Sequence, residues 1–274
     1  MFELAINRLI KTGRSFFAVI IFLVFSTGIG HAQGGATASP DMIKVPGGEH
    51  KLFFSNESGL TTEIEPFILD VTAVTNADFL EFVKTDPQWS RSRVSKIYAD
   101  TGYLKHWQGD MELGAISEKI KNSPVTNISW FAANDYCKKQ GKRLPTVDEW
   151  EYAASSEMAG SDKKLTEIIL EWYSKPTPKV MPPVRSTMVN EFGLYDMHGL
   201  VWEWTSDFNS VVMGGDSRSN DALKETLFCA SGSFGAADKE DYASFMRYAY
   251  RSSLKANYTV ANLGFRCASD IKKK

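Results

Sequence analysis

A chain of 274 residues with 31 Lys and Arg against 33 Asp and Glu has a net charge of −2, a balance that gives no reason to expect nucleic acid as a partner. Its three cysteines, Cys137, Cys229 and Cys267, allow at most one internal disulfide and leave one thiol over. Their number alone does not choose the pair.

Residues 1–32 read as an export signal. Lys11 and Arg14 precede an apolar run through Phe16, Ala18, Ile20, Phe22 and Phe25, and Gly30-His31-Ala32 has the small-x-small form of a cleavage site. The apolar run falls short of the roughly 20 residues a spanning helix needs, so no stable membrane anchor is expected. A periplasmic or secreted location after signal removal follows. Losing Arg8, Lys11 and Arg14 together with Glu3 removes +2 and takes the net charge from −2 to −4. Residues 33–41 are small and polar and are expected to form a disordered lead-in. Residues 42–274 are expected to form one domain with a substantial core.

Met42 to Gly48 predicts a short strand entering a turn, and Phe67 to Val71 a second strand. Thr75 or Asn76 is placed to cap a helix whose apolar positions Phe79, Leu80 and Val83 share a face. Residues 87–123, with Arg91, Arg93, Tyr98, Tyr103, His106 and Trp107, lack clear periodicity and are expected to be long ordered loops. Ser129 caps a predicted helix from Trp130 to about Gln140 that closes at Gly141. Thr146 and Glu149 form a capping box for the next helix, which turns Trp150, Ala153 and Ala154 toward the core. Leu165 to Tyr173 is a third helical candidate. Beyond it Pro176, Pro178, Pro182, Pro183 and Gly214-Gly215-Asp216 predict little regular structure.

No phosphate-cradling glycine loop, H-E-x-x-H pair or G-x-S-x-G elbow is present, so nucleotide, zinc-protease and serine-hydrolase chemistry lack support. Asp196 and Glu203, with Gly199 between them, suit a hard cation taking oxygen ligands. The alternative is that Asp196 caps a turn and Glu203 pairs with an arginine. The histidines after the signal, His50, His106 and His198, are scattered without a paired spacing, so iron is not supported. His198 is read as orienting the cation loop or donating to a backbone carbonyl. Arg247 and Arg251 lie among aromatics in Phe245 to Arg251, where stacked guanidiniums or buried ion pairs explain them as well as ligand binding does.

Gly141-Lys-Arg-Leu-Pro-Thr146, Glu149-Trp-Glu-Tyr152, Gly193-Leu-Tyr-Asp-Met-His-Gly199, Trp202-Glu-Trp204 and Asn262-Leu-Gly-Phe-Arg-Cys267 together resemble the formylglycine-generating enzyme family of sulfatase-modifying factors. The resemblance implies an α+β, C-type-lectin-like single domain with low regular secondary structure. It implies a disulfide between Cys137 and Cys267; Cys229 is then single, read as a small buried hydrophobe in preference to the alternative of a reactive thiol. It implies a calcium site built from Asp196, the carbonyls of Gly199 and Val201, and Glu203. Catalytic relatives bind copper through two thiols, and local matching places these at Ala236 and Ala243. Copper is therefore not supported, because an alanine methyl cannot ligate it. Trp202, Ser233, Tyr242 and Arg251 match residues lining the family's substrate groove.

Within the family, the export signal, Arg91-Ser-Arg-Val94, His106-Trp107 and Phe245-Met-Arg-Tyr248 most resemble the NirV-type proteins that accompany copper nitrite reductases. Two functions stay open at this point. One is an accessory or maturation protein that holds a protein or peptide, copper nitrite reductase being a candidate, in an aromatic groove. The other is an oxidoreductase with a rebuilt metal site that oxidises a protein side chain or small molecule.

Overall fold

The computed structural model describes residues 41–51, 61–161, 163–209 and 239–271. The signal and nearly all of the lead-in lie outside these residues, as do Cys229, Ser233 and Ala236. All described residues belong to the unit Thr37–Lys274.

β1 (Met42–Val45) pairs antiparallel with β4 (Phe67–Asp70), and β4 pairs antiparallel with β7 (Ala268–Asp270). The first and last described strands therefore meet in one three-stranded sheet of order β1-β4-β7. A side hairpin of β2 (Gly48–Lys51) and β3 (Thr61–Ile64) interrupts the two strands foreseen from the sequence. β5 (Trp202–Glu203) pairs in parallel with β6 (Leu263–Gly264), joining the two most motif-rich segments. Gly264 permits this approach, since a Cβ there would stand 2.8 Å from the Val125 carbonyl oxygen.

The helical readings hold with small changes of boundary. α1 (Asn76–Thr85) starts at a complete capping box between Thr75 and Asp78. α2 (Ser117–Ile120) is one turn within the loop region. α3 (Trp130–Lys139) is capped by Ser129, and Gly141 follows with φ +69°. α4 (Val147–Ala154) has the Thr146–Glu149 box, reinforced by a two-point ion pair from Arg143 to Glu149. α5 (Leu165–Tyr173) buries only Ile169 fully.

One expectation is corrected. The later part of the chain contains α6 (Lys239–Ser253), at 15 residues the longest helix among the described residues. Its buried positions Ala243, Arg247, Tyr248 and Arg251 follow helical spacing, but two of them are arginines, so an apolar-periodicity reading misses the stripe. Its inward face combines these ion-paired arginines with apolar contacts such as that of Tyr250 on Trp202.

The core is aromatic. Phe79 contacts Phe82, Trp107, Tyr136 and Phe265 at centroid distances of 5.3 to 6.2 Å, binding α1, the loop region, α3 and the C-terminal segment together. Beside them Cys137 and Cys267 form the disulfide, closing a loop with sequence separation 130. In the chain-entropy description such a loop contributes about 5 kcal/mol. Asn76 adds a polar hub. Its amide donates to the carbonyls of Ile120, Ser123 and Pro124, while its Oδ1 accepts from Trp107 Nε1 and bonds His106 Nε2.

Candidate functional site

The sequence-predicted cation loop is a tight turn packed against residues 185–188. Asp196 has φ +57° and is buried, and Arg185 opposite it has φ +65°. The Asp196 carboxylate accepts from the Arg185 amide and from both the amide and hydroxyl of Thr187. Three neutral donors thus meet a buried charge that has no cationic partner among the described residues. Gly199 has φ +96°, which a residue with a side chain rarely adopts, and so turns the chain inward at this point.

Glu203 differs. Its carboxylate takes a two-point ion pair from Arg266, at 2.8 and 2.9 Å, and a further bond from Trp150 Nε1 at 2.7 Å. Arg266 is fully buried and spends its remaining donors on the carbonyls of Asp70, Val71 and Tyr195. The arginine of the Arg266-Cys267 motif thereby ties β4, the turn at Tyr195 and β5 together.

The three histidines stay apart. His50 lies on β2 against Tyr152, His106 binds Asn76, and His198 Nε2 bonds the Ala154 carbonyl. Burial lowers the pKa of each. No three His, Cys, Asp or Glu converge among the described residues.

Copper does not fit at residue 243. Ala243 is buried on α6, and its methyl has no lone pair to offer. One and two turns further along the same face stand Arg247 and Arg251. Both reach Glu151 of α4: Arg247 Nε at 2.9 Å from Oε2, and Arg251 Nη1 on Oε1. Burial alone would raise the Glu151 carboxyl, but the two guanidiniums overcome it and hold the group below the usual carboxylate range. Arg251 also lies over the Trp150 ring, 4.8 Å from its centroid. A continuous chain of contacts runs from Arg266 through Glu203, Trp150 and Arg251 to Glu151 and Arg247.

Of the predicted groove residues, Trp202 is half-buried and Tyr242 exposed, whereas Arg251 is buried in the ion-pair cluster; Ser233 lies outside the described residues. The Trp202 ring is nearly parallel to Tyr173, at 5.1 Å and 16°, and close to Tyr250, at 4.4 Å and 30°; Trp172 stands 5.3 Å away. Glu151, Trp150, Arg247, Tyr173, Tyr250 and Arg266 were not assigned to a site from the sequence. The four-residue spacing of Arg247 and Arg251 was the available signal, because it places both on one helix face.

Residues 31–271 match the sulfatase-modifying factor enzyme 1-like domain. The chain belongs to that family. A formylglycine-generating enzyme from Streptomyces coelicolor is 30% identical over 295 residues, covering 87% of this chain and 93% of the relative. The inactive Cα-formylglycine-generating enzyme 2 of Bos taurus is 27% identical over 282 residues, covering 84% and 88%. Among solved structures, PvdO from Pseudomonas aeruginosa matches with a TM-score of 0.49 and 18% identity, covering 85% of this chain and 95% of that one. The chain has the α+β fold of the sulfatase-modifying factor family, whose members include proteins named as formylglycine-generating enzymes and proteins named as inactive ones.

Proposed function

We propose that this chain is an exported, non-catalytic member of the sulfatase-modifying factor family that holds a protein or peptide partner against its aromatic wall. The observation that carries the reading is Ala243, a buried methyl on α6 at one of the two positions where local matching places a copper thiolate. An alanine there removes a ligand while leaving the helix, the Trp202 wall and the surrounding ion pairs in place. The similarity to a relative named inactive supports the same reading.

Copper nitrite reductase is the proposed partner, on the resemblance to NirV-type proteins, and the periplasm the proposed location. Calcium is proposed at Asp196, Gly199, Val201 and Glu203. The buried, cation-free carboxylate of Asp196 supports it, since such a charge gains most from a hard cation. Glu203 brings to that site a charge already balanced by Arg266. Calcium would supply no chemistry there beyond fixing the turn.

The reading is tested with purified protein and copper nitrite reductase. Stable association that weakens at least tenfold in Trp202→Ala supports it, and no association at micromolar concentrations refutes the partner. Conversion of a C-x-P-x-R peptide cysteine to the aldehyde, followed by mass, refutes the non-catalytic assignment.

A further inference from the structure

Three segments remote in sequence are tied into one face. The Asp100 amide donates to the Asn257 carbonyl and the Trp130 amide to the Ala256 carbonyl, each at 2.9 Å, and the Tyr98 ring stands 5.2 Å from Phe131 and 6.0 Å from Trp89. These contacts bring residues 91–98, the start of α3 and residues 255–258 together. The first segment is held in shape by its own backbone. The Ser90 carbonyl accepts from the amides of Arg93 and Val94, and the Ser95 carbonyl from those of Tyr98 and Ala99. Ile97 therefore stands on a fixed turn at 76% exposure, beside Tyr98 at 47%. It is not a solitary apolar residue, since Trp130, Phe131 and Tyr258 are half-buried on the same three segments.

The charge on this face is one-sided. Arg91, Arg93, Lys96 and Lys255 are all exposed, in a chain whose net charge is −2. The neighbouring acids are engaged by internal donors: Asp100 accepts from Gly102 and Thr259, and Asp135 from Trp89 Nε1. Asp110 lies within reach of Arg91 and Arg93 and accepts from the amide and hydroxyl of Ser92.

We infer that this face docks the protein on an anionic phospholipid surface. Ile97 enters the boundary between headgroups and acyl chains, Tyr98 lies at headgroup level, and the four cations meet lipid phosphates. An aliphatic tip that stands clear of its surroundings suits a deformable bilayer better than the closely packed centre of a protein interface. The contact is peripheral and reversible, and no helix among the described residues is long and apolar enough to cross a membrane. The site goes beyond the proposed function and needs no polypeptide partner.

The test is co-sedimentation of the purified protein with vesicles of phosphatidylcholine alone and of equal parts phosphatidylcholine and phosphatidylglycerol. The export signal is removed beforehand, because an apolar run of that kind partitions into bilayers by itself; all described residues belong to the unit Thr37–Lys274. Saturable binding to the mixed vesicles, at least tenfold stronger than to phosphatidylcholine and lost at about 0.5 M salt, is expected. Each basic residue near an anionic surface strengthens binding about fivefold, so Arg93→Gln combined with Lys96→Gln should weaken it at least tenfold. Ile97→Ser should weaken it several-fold. All three side chains are exposed, so the thermal midpoint should stay unchanged. Equal binding to both vesicles, no binding at about 5 mM lipid, or unchanged binding in either variant overturns the assignment. So does capture of a deca-glutamate peptide as tight as that of the mixed vesicles and equally weakened by the double substitution, which gives the face to an acidic polypeptide instead.

Discussion

Replacing Glu151 by glutamine keeps the shape of the side chain and removes the charge on which Arg247 and Arg251 both depend. In the parent, Arg247 donates through Nε to both Glu151 oxygens, at 3.1 and 2.9 Å, and Arg251 donates through Nη1. Glu151→Gln leaves two buried guanidiniums facing a neutral amide. Breaking a buried pair by removing one partner costs about 3–5 kcal/mol. For a domain of this size each kcal/mol shifts Tm by roughly 2–4 °C, so the midpoint should fall by about 10 °C. Glu171 is the internal control. It pairs with Lys163 and Lys175 on the surface, where ion pairs contribute little, and Glu171→Gln should leave the midpoint unchanged.

The same carboxyl predicts a pH signature. Against the burial that would raise it, Arg247 and Arg251 lower the Glu151 pKa from 4.5 to about 2. A folded-state pKa below the unfolded value gives stability that is fully present above pH 4.5 and is lost as the pH falls toward 2. Urea unfolding followed by circular dichroism from pH 5 to pH 2 should therefore show a steeper decline in the parent than in Glu151→Gln. A variant within about 1 kcal/mol of the parent at pH 7, with the same slope in acid, would refute the claim that this ion pair organises α4 and α6.

Four further outcomes are expected. Asn76→Asp removes the donors serving three carbonyls and should cost at least about 3 kcal/mol in urea unfolding, with Asn76→Gln no better. Cys137→Ser paired with Cys267→Ser should lower stability by roughly 2–5 kcal/mol, and reduction of the parent with dithiothreitol should match it. His106, which burial and then Arg91 lower from 6.5 to about 4, stabilises the fold above pH 6.5 and loses that contribution as the pH falls toward 4; His106→Gln should flatten this window in thermal scans. Calcium at millimolar concentration should raise the midpoint by several degrees, an effect removed by a chelator and weakened in Asp196→Asn.

The helices with local start signals were legible because a cap is decided within four residues. Thr75, Ser129 and Thr146 each satisfy backbone amides of their own helix whatever the rest of the chain does. α6 was not legible for the converse reason. Ion pairing and ligand binding explain Arg247 and Arg251 equally well in sequence, and Glu151, roughly a hundred residues earlier, becomes their shared partner only in the folded chain.

The chain's own residues determined the family, the capped helices and the missing lone pair at Ala243, since each is a property of side-chain chemistry at a fixed position. Tertiary structure decided which charges meet. It gave Glu203 to Arg266 and left Asp196 with neutral donors, and it set two guanidiniums on one carboxylate beneath an aromatic cover. Electrostatic partners are chosen by distance in space, and distances between remote segments do not exist until the sheet and the disulfide close the chain upon itself.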